Sequence, residues 1–227
     1  TVPSIVEGGQ VREMAVDDPA IELLRPARRA VAGNGPAMLV INELTRRFGG
    51  LVAINNLTMQ VEAGVIHALI GPNGAGKSTF INLVTGVYDR APGTMAFDGQ
   101  PVSETKPWRL AELGIARTFQ NLRSFHSLTV MDNVLVGCRS AKRAGWPAVM
   151  LATSSARAEE VELNATAEAA LRFVGLWNVR DIKVSALPHE QQRLVEIARA
   201  LAMRPKMILL DEPAAGMNPT EVERLVA

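Results

Sequence analysis

Gly71-Pro72-Asn73-Gly74-Ala75-Gly76-Lys77-Ser78 fills the pattern G-x-x-x-x-G-K-[ST] at every fixed position, and its reading decides the fold. Residues 65–70, just before it, are almost continuously apolar and predict a buried strand ending at Gly71-Pro72. Just after it, Phe80, Leu83 and Val84 recur at helical spacing, so a helix is predicted from Lys77. Strand, glycine-rich loop and helix in that order form a phosphate cradle. The glycines let the backbone turn until successive N–H groups wrap the phosphates, and the helix adds its positive N-terminal end. A chance glycine-rich turn would not bring both flanking elements. In this context Lys77 is expected to reach the β and γ phosphates, and Ser78, followed by Thr79, to offer its hydroxyl to Mg²⁺. The expected ligands are a nucleotide's phosphates and Mg²⁺.

A second stretch completes the chemistry. Met207-Ile208-Leu209-Leu210 is a short apolar run, predicted as a buried strand, that delivers Asp211 and Glu212 at its end. Asp211 suits a ligand held to Mg²⁺ directly or through water, and Glu212 suits a base that polarises an attacking water. A strand ending in acids is common in itself. Downstream of the phosphate loop it reads as the other half of a nucleotide hydrolase site.

Around these anchors the chain has a simple organisation. Residues 1–36 mix Gly, Pro, Asp, Arg and Ala without sustained periodicity and read as a linker or extension, with one short helical piece at 20–24 and a breaker cluster at Gly33-Asn34-Gly35-Pro36. Residues 38–44 and 51–61, separated by Gly49-Gly50, read as two antiparallel strands. Two amphipathic helices are predicted at 159–174, stopped by Gly175, and at 191–202, with Pro205 beyond. Residues 140–157 are helical at most by composition.

Composition narrows the function classes. The 227 residues, 48% hydrophobic and 21% charged, suit one sizeable globular domain with an appendage. The 24 Lys and Arg nearly cancel the 23 Asp and Glu, so no global field recruits nucleic acid or an anionic membrane surface. No apolar run approaches the roughly 20 residues a membrane-spanning helix needs. The single cysteine, Cys138, has no internal disulfide partner and is expected to be an inert thiol. The three histidines, His67, His126 and His189, are scattered and suggest no metal cluster.

From about Met38 to its end the chain resembles an ABC transporter ATPase subunit. The resemblance rests on the phosphate loop, the Asp211-Glu212 strand end and three further stretches: Arg117-Thr118-Phe119-Gln120-Asn121, Leu187-Pro188-His189-Glu190-Gln191, and Ala215-Gly216-Met217-Asn218-Pro219. It implies a P-loop NTPase core with a parallel sheet, an antiparallel β flank and an inserted helical subdomain at about 121–190, the whole ATPase domain covering residues 37–227. It implies that Gln120 links the Mg²⁺ and water site to the membrane subunit, and that Phe48 stacks on adenine, the alternative for Phe48 being an ordinary core ring. Residues 187–191 stand for the signature that meets the ATP of a second subunit, and Gly216 and Asn218 for the loop joining the two sites of a dimer. Glu190 departs from the family, which has a glycine there. None of the three histidines matches the switch histidine that family members carry beyond this loop, so that region is expected to be lacking.

Residues 117–125 and 128–134, together with 212–219, resemble most closely the ATPases of branched-chain amino acid importers. The partners so implied are integral membrane permease subunits, a second ATPase subunit and, indirectly, a periplasmic or extracellular solute-binding protein, with this chain peripheral on the cytoplasmic face of the inner membrane. A different function, gripping nucleic acid as chromosome-maintenance relatives do, is disfavoured. The seventy or so residues between Gln120 and Gln191 carry no sustained heptads, and the near-neutral charge offers no basic stripe. A non-catalytic nucleotide-binding module is the other alternative, raised by Glu190.

Overall fold

Two short strands near the start of the chain, β1 (Ser4–Glu7) and β2 (Gln10–Glu13), pair antiparallel with Ile5 opposite Arg12. They lie in the segment expected as a linker, where Leu23 and Leu24 are also helical. The computed structural model describes residues 4–7, 10–13, 23–24, 37–91, 94–118, 124–138 and 154–211. By its internal contacts the chain divides into two units, residues 28–115 and residues 1–27 with 116–227.

In the unit of residues 28–115, strands β3 (Leu39–Phe48) and β4 (Leu51–Val61) form the antiparallel pair expected from the sequence, turning at Gly49-Gly50. Together with β5 (Met95–Phe97) and β6 (Gln100–Pro101) they make a four-stranded sheet in the order β4-β3-β5-β6. The β3–β4 register shifts three times, and Glu43 and Asn56 take positive φ of 49° and 47° where the ladder breaks. Side chains across the pair satisfy the freed donors: Glu43 N–H donates to Thr58 Oγ1 at 3.0 Å and Asn56 N–H to Thr45 Oγ1 at 2.9 Å. Such bulges bend and twist the strands locally.

Leu39, Ile41, Leu44, Met95 and Phe97 are buried in this unit. Helix α1 (Lys77–Val84) buries Phe80, Ile81, Leu83 and Val84 and presents the loop at its N-terminus. Helix α2 (Pro107–Leu113) starts with its proline at the first position, where a missing N–H costs nothing, and buries Leu110. Between the helices Arg90 is buried, and its guanidinium donates to the carbonyls of Ser103, Leu83, Val102 and Thr105. A cation surrounded by backbone acceptors pins the segment after α1 to the segment before α2.

The strand expected at residues 65–70 is not there. These residues carry no regular structure, and Ile66 and Ile70 are 98% and 90% exposed. A strand needs a neighbour to take its hydrogen bonds, and none of the named strands pairs with this run. Instead the chain turns after β4, where Glu62 N–H donates to His67 Nε2 at 3.3 Å. His67 therefore closes a turn rather than sitting in a strand.

In the other unit, β7 (Ile115–Arg117) pairs with β8 (Met207–Leu209), and Thr118 N–H donates to Leu209 O at 3.0 Å. The strand at 207–209 is half-buried rather than sealed, and Leu210 is 47% exposed. Three helices, α3 (Val130–Cys138), α4 (Ser154–Phe173) and α5 (His189–Ala202), pack around one apolar core that includes Val130, Val134, Ala170, Leu171, Val195 and Ala198. The helix predicted at 159–174 is α4, begun five residues earlier. Gly175, at φ 73°, follows its end as expected. Of the segment at 140–157, residues 154–157 begin α4, and 140–153 lie outside the described residues.

Close approach decides how α3 meets α5. A Cβ added at Gly137 would collide with the carbonyl of Arg199, so only glycine lets the two backbones come this near. Cys138, next to it, is buried, with its thiol directed at Leu163 O at 3.6 Å. Burial pushes the thiol up to about 11, so it stays protonated and unreactive near neutrality, as an inert core thiol should.

Candidate nucleotide site

Loop 71–76 is shaped by backbone bonds of its own. Ala75 N–H donates to Pro72 O at 3.2 Å, and the first helical bond runs from Phe80 N–H to Gly76 O at 2.8 Å. Gly76, the N-cap of α1, sits at φ 90°, and a Cβ there would lie 2.6 Å from Ala53 O on β4. Both the left-handed backbone and the missing space demand glycine. Strand β4 is thus the wall against which the loop is folded.

The helix that starts here has free donors. No side chain caps α1, and its first turn contains no acid. Four orphan N–H groups and the positive end of the helix dipole therefore face outward from a loop exposed at Pro72, Asn73, Gly74 and Ala75, which suits a phosphate group. Lys77 folds back over the loop, its Nζ donating to Gly71 O at 2.7 Å and to Pro72 O at 2.9 Å. Its charge is held on carbonyls of the cradle itself, within reach of any anion the loop binds. Ser78 is exposed in the first turn and Thr79 half-buried beside it.

Phe48 ends β3 and is 38% exposed, so it is not a core ring. It meets Tyr88 edge to face at 5.2 Å, while the Arg46 guanidinium lies 4.9 Å from the Phe48 ring centre and 5.3 Å from that of Tyr88. Phe48 pairs with Leu51, two residues along β4 from the Ala53 carbonyl that contacts the loop.

The remaining site residues belong to the other unit. Asp211 is 4% exposed, and its Oδ2 accepts from an Arg117 guanidinium at 3.2 Å. Reading the sequence set Arg117 only as the first residue of a motif and missed it as the partner of Asp211. The signal was slight, one arginine ninety-four positions away. Gln120, Glu212, Gly216 and Asn218 lie outside the described residues.

Residues Leu187 to Gln191, expected as the signature, form the entry to α5. Leu187 is buried, Pro188 is the N-cap, and His189 and Glu190 open the helix. Gln192 ties the entry down, its side-chain amide donating to Leu187 O at 2.8 Å and its N–H to Pro188 O at 3.0 Å. Glu190 stands half-buried in the first turn, among the three orphan N–H groups left by a proline N-cap. One turn deeper, Arg193 and Glu196 form a sealed ion pair at 3.5 Å, with Arg199 3.7 Å from the other oxygen of Glu196. Burial lowers the pKa of Arg199 and Glu196 opposes that, so the cation persists.

Asn133 was also missed. Fully buried in α3, it holds the backbone of Phe125 from both sides, accepting from Phe125 N–H at 2.8 Å and donating to Phe125 O at 3.0 Å. It thereby fixes the backbone at Phe125. An asparagine in a mostly apolar helix was the available clue.

Comparison with known proteins agrees with this geometry. The family profile described as ABC transporter matches residues 54–215. The chain is 38% identical over 190 residues to the high-affinity branched-chain amino acid transport ATP-binding protein BraF of Pseudomonas aeruginosa, covering 84% of this chain and 74% of that one. It is 38% identical over 188 residues to LivG of Escherichia coli K12, named for the same transport, covering 83% and 74%. Among solved structures, the ADP conformation of MJ1267, an ATP-binding cassette of an ABC transporter, superposes with a TM-score of 0.70 at 32% identity, covering 84% of this chain and 74% of that one. CbiO1 from Clostridium perfringens, part of the transporter complex cbiONQ, gives 0.70 at 28% identity, covering 84% and 71%. A phosphate loop, a signature-like helix entry and relatives over four-fifths of its length place this chain in the ABC transporter family, among its ATP-binding cassettes.

Proposed function

We propose that the chain binds and hydrolyses Mg-ATP to energise an importer of branched-chain amino acids or similar solutes, from the cytoplasmic face of the membrane. The observation that carries this reading is the cradle at residues 71–78, an uncapped helix start with no acid in its first turn and a lysine folded over it. Its N–H groups and Lys77 hold the β and γ phosphates, Phe48 takes the adenine, and Ser78, Gln120 and Asp211 are the Mg²⁺ ligands. Mg²⁺ held by these residues would offset the negative charge of the phosphates. Glu212 accepts the proton of the attacking water. Oδ2 of Asp211 accepts from Arg117, and a carboxylate has a second oxygen to offer a metal, directly or through water.

The names of the relatives support an importer with permease subunits as partners, since BraF and LivG are ATP-binding proteins of amino acid transport. No helix among the described residues is long and apolar enough to cross a membrane. A second ATPase subunit would bring its signature residues to the nucleotide, and the solute-binding protein acts only through the permease. One observation favours a weaker second reading. Glu190 in the first turn of α5 carries a carboxylate to a helix start that should greet a phosphate, which suits a nucleotide-binding module with impaired closure.

Lys77→Ala tests the main reading. A fluorescent ATP analogue should bind the parent with Mg²⁺ and lose at least a hundredfold in affinity on the variant, with the melting temperature unchanged. Equal binding by both proteins would show that the phosphates lie elsewhere.

A further inference from the structure

We infer that Arg46 is a positioning residue of the adenine site, which holds the Phe48 ring in place for the base. This rests on the ATP reading above and adds to it a residue that none of the motifs contains.

Phe48 stands at the last position of β3, beside the Gly49-Gly50 turn, where little backbone constraint fixes a side chain. Two contacts do so instead. The Arg46 guanidinium lies 4.9 Å from the ring centre on one side, and Tyr88 meets the ring at an interplanar angle of 70°. Arg46 is anchored in turn, donating from Nη1 to Asp89 O at 3.2 Å and lying 5.3 Å from the ring centre of Tyr88. Its Nε is buried with no hydrogen-bond partner. A guanidinium that leaves a donor unmatched in order to lie against two rings is held there by the rings, through cation–π attraction and stacking.

The ring is open, and its strand register lies close to the cradle. Phe48 keeps 38% of its surface open. Along β4, its partner Leu51 is two residues from Ala53, whose carbonyl touches the loop at Gly76. Two strand residues span about 7 Å, the scale of one ribose and phosphate between a stacked base and the cradle. Arg46 contributes no bond to the phosphates in this arrangement. Its effect is confined to the base.

Binding of Mg-ATP and of Mg-tripolyphosphate, which has no base, separates these roles. Phe48→Ala should weaken ATP about five- to a hundredfold, the range of base–aromatic stacking, and leave tripolyphosphate unchanged. Arg46→Gln should weaken ATP about two- to tenfold, again without touching tripolyphosphate, and should add nothing once Phe48 is alanine. Arg46→Lys keeps the charge and loses the plane, so it should resemble Arg46→Gln, and it supplies the measurement if the glutamine variant melts early. The inference is overturned if Arg46→Gln binds ATP like the parent while Phe48→Ala does not, which leaves the base site standing without it. It is equally overturned if Arg46→Gln weakens both ligands alike, or if its effect persists in full beside Phe48→Ala. A parent that binds tripolyphosphate as tightly as ATP removes the base site altogether but keeps the cradle. A parent that binds neither sinks the proposed function together with this inference.

Discussion

Helices α1 and α5 both begin at a loop with no side-chain cap, yet one start is open to an anion and the other is guarded. At α1 the N-cap is Gly76, the first turn has no acid, and Lys77 adds a positive charge. At α5 the N-cap is Pro188 and the first turn carries Glu190. Orphan N–H groups stand at each start, four at α1 and three at α5 because Pro188 has none, and the side chains beside them favour or repel a phosphate. A helix N-terminus is therefore not by itself an anion site. The two helices share one device elsewhere, a glycine set against a backbone carbonyl: Gly76 against Ala53 at the start of α1, and Gly137 of α3 against Arg199 near the end of α5.

The largest expected effect asks whether the open start leads to chemistry at all. Glu212→Gln should retain ATP binding and lower single-turnover hydrolysis by about two to four orders of magnitude, the usual loss for a general base. Unchanged turnover would reject the role and leave α1 as a binding site only.

Next in size is the guarded start. Two unit charges about 4 Å apart repel by roughly 4 kcal/mol at an effective dielectric near 20, whereas an acid in the first turn contributes only about 0.3 to 1 kcal/mol to its own helix. Repulsion wins once a γ-phosphate approaches. In a Glu212→Gln background, which preserves bound ATP, Glu190→Gly should strengthen ATP-dependent dimerisation about ten- to a thousandfold by light scattering. Equal dimerisation of both proteins would mean that Glu190 turns away and that the contrast between the two helix starts has no consequence.

The smallest effect sharpens the shared device. Gly137→Ala places a methyl group against a main-chain carbonyl that cannot swing aside, and should cost about 1 to 3 kcal/mol in denaturant unfolding of the helical unit. ATP affinity should be unaffected, because the cradle is built by β4 and α1. Gly76→Ala meets the carbonyl of Ala53 and also a φ of 90°, and its loss should appear in nucleotide binding. If the two substitutions produced the same pattern of losses, the glycines would not be serving separate regions.

Much of the local structure was legible in the sequence. Helix α1 begins and ends where its periodicity and its glycine-rich entry place it, and the β3–β4 pair turns at Gly49-Gly50. These features are settled within a few residues, by φ preferences and by the spacing of apolar side chains. Residues 65–70 show the limit of such reading. An apolar run specifies burial on average, but a strand forms only with a partner, and at 98% exposure Ile66 has none among the described residues.

The sequence by itself determined which residues can wrap a phosphate, because only that order of glycines, lysine and hydroxyl permits the backbone path and supplies the donors. Tertiary structure alone decided that Arg117 bonds Asp211, that Asn133 holds Phe125, and that Arg46 lies between two aromatic rings. Each joins residues whose types were plain but whose meeting depends on how strands and helices pack. Charge and shape are properties of a residue, whereas distance is a property of the fold.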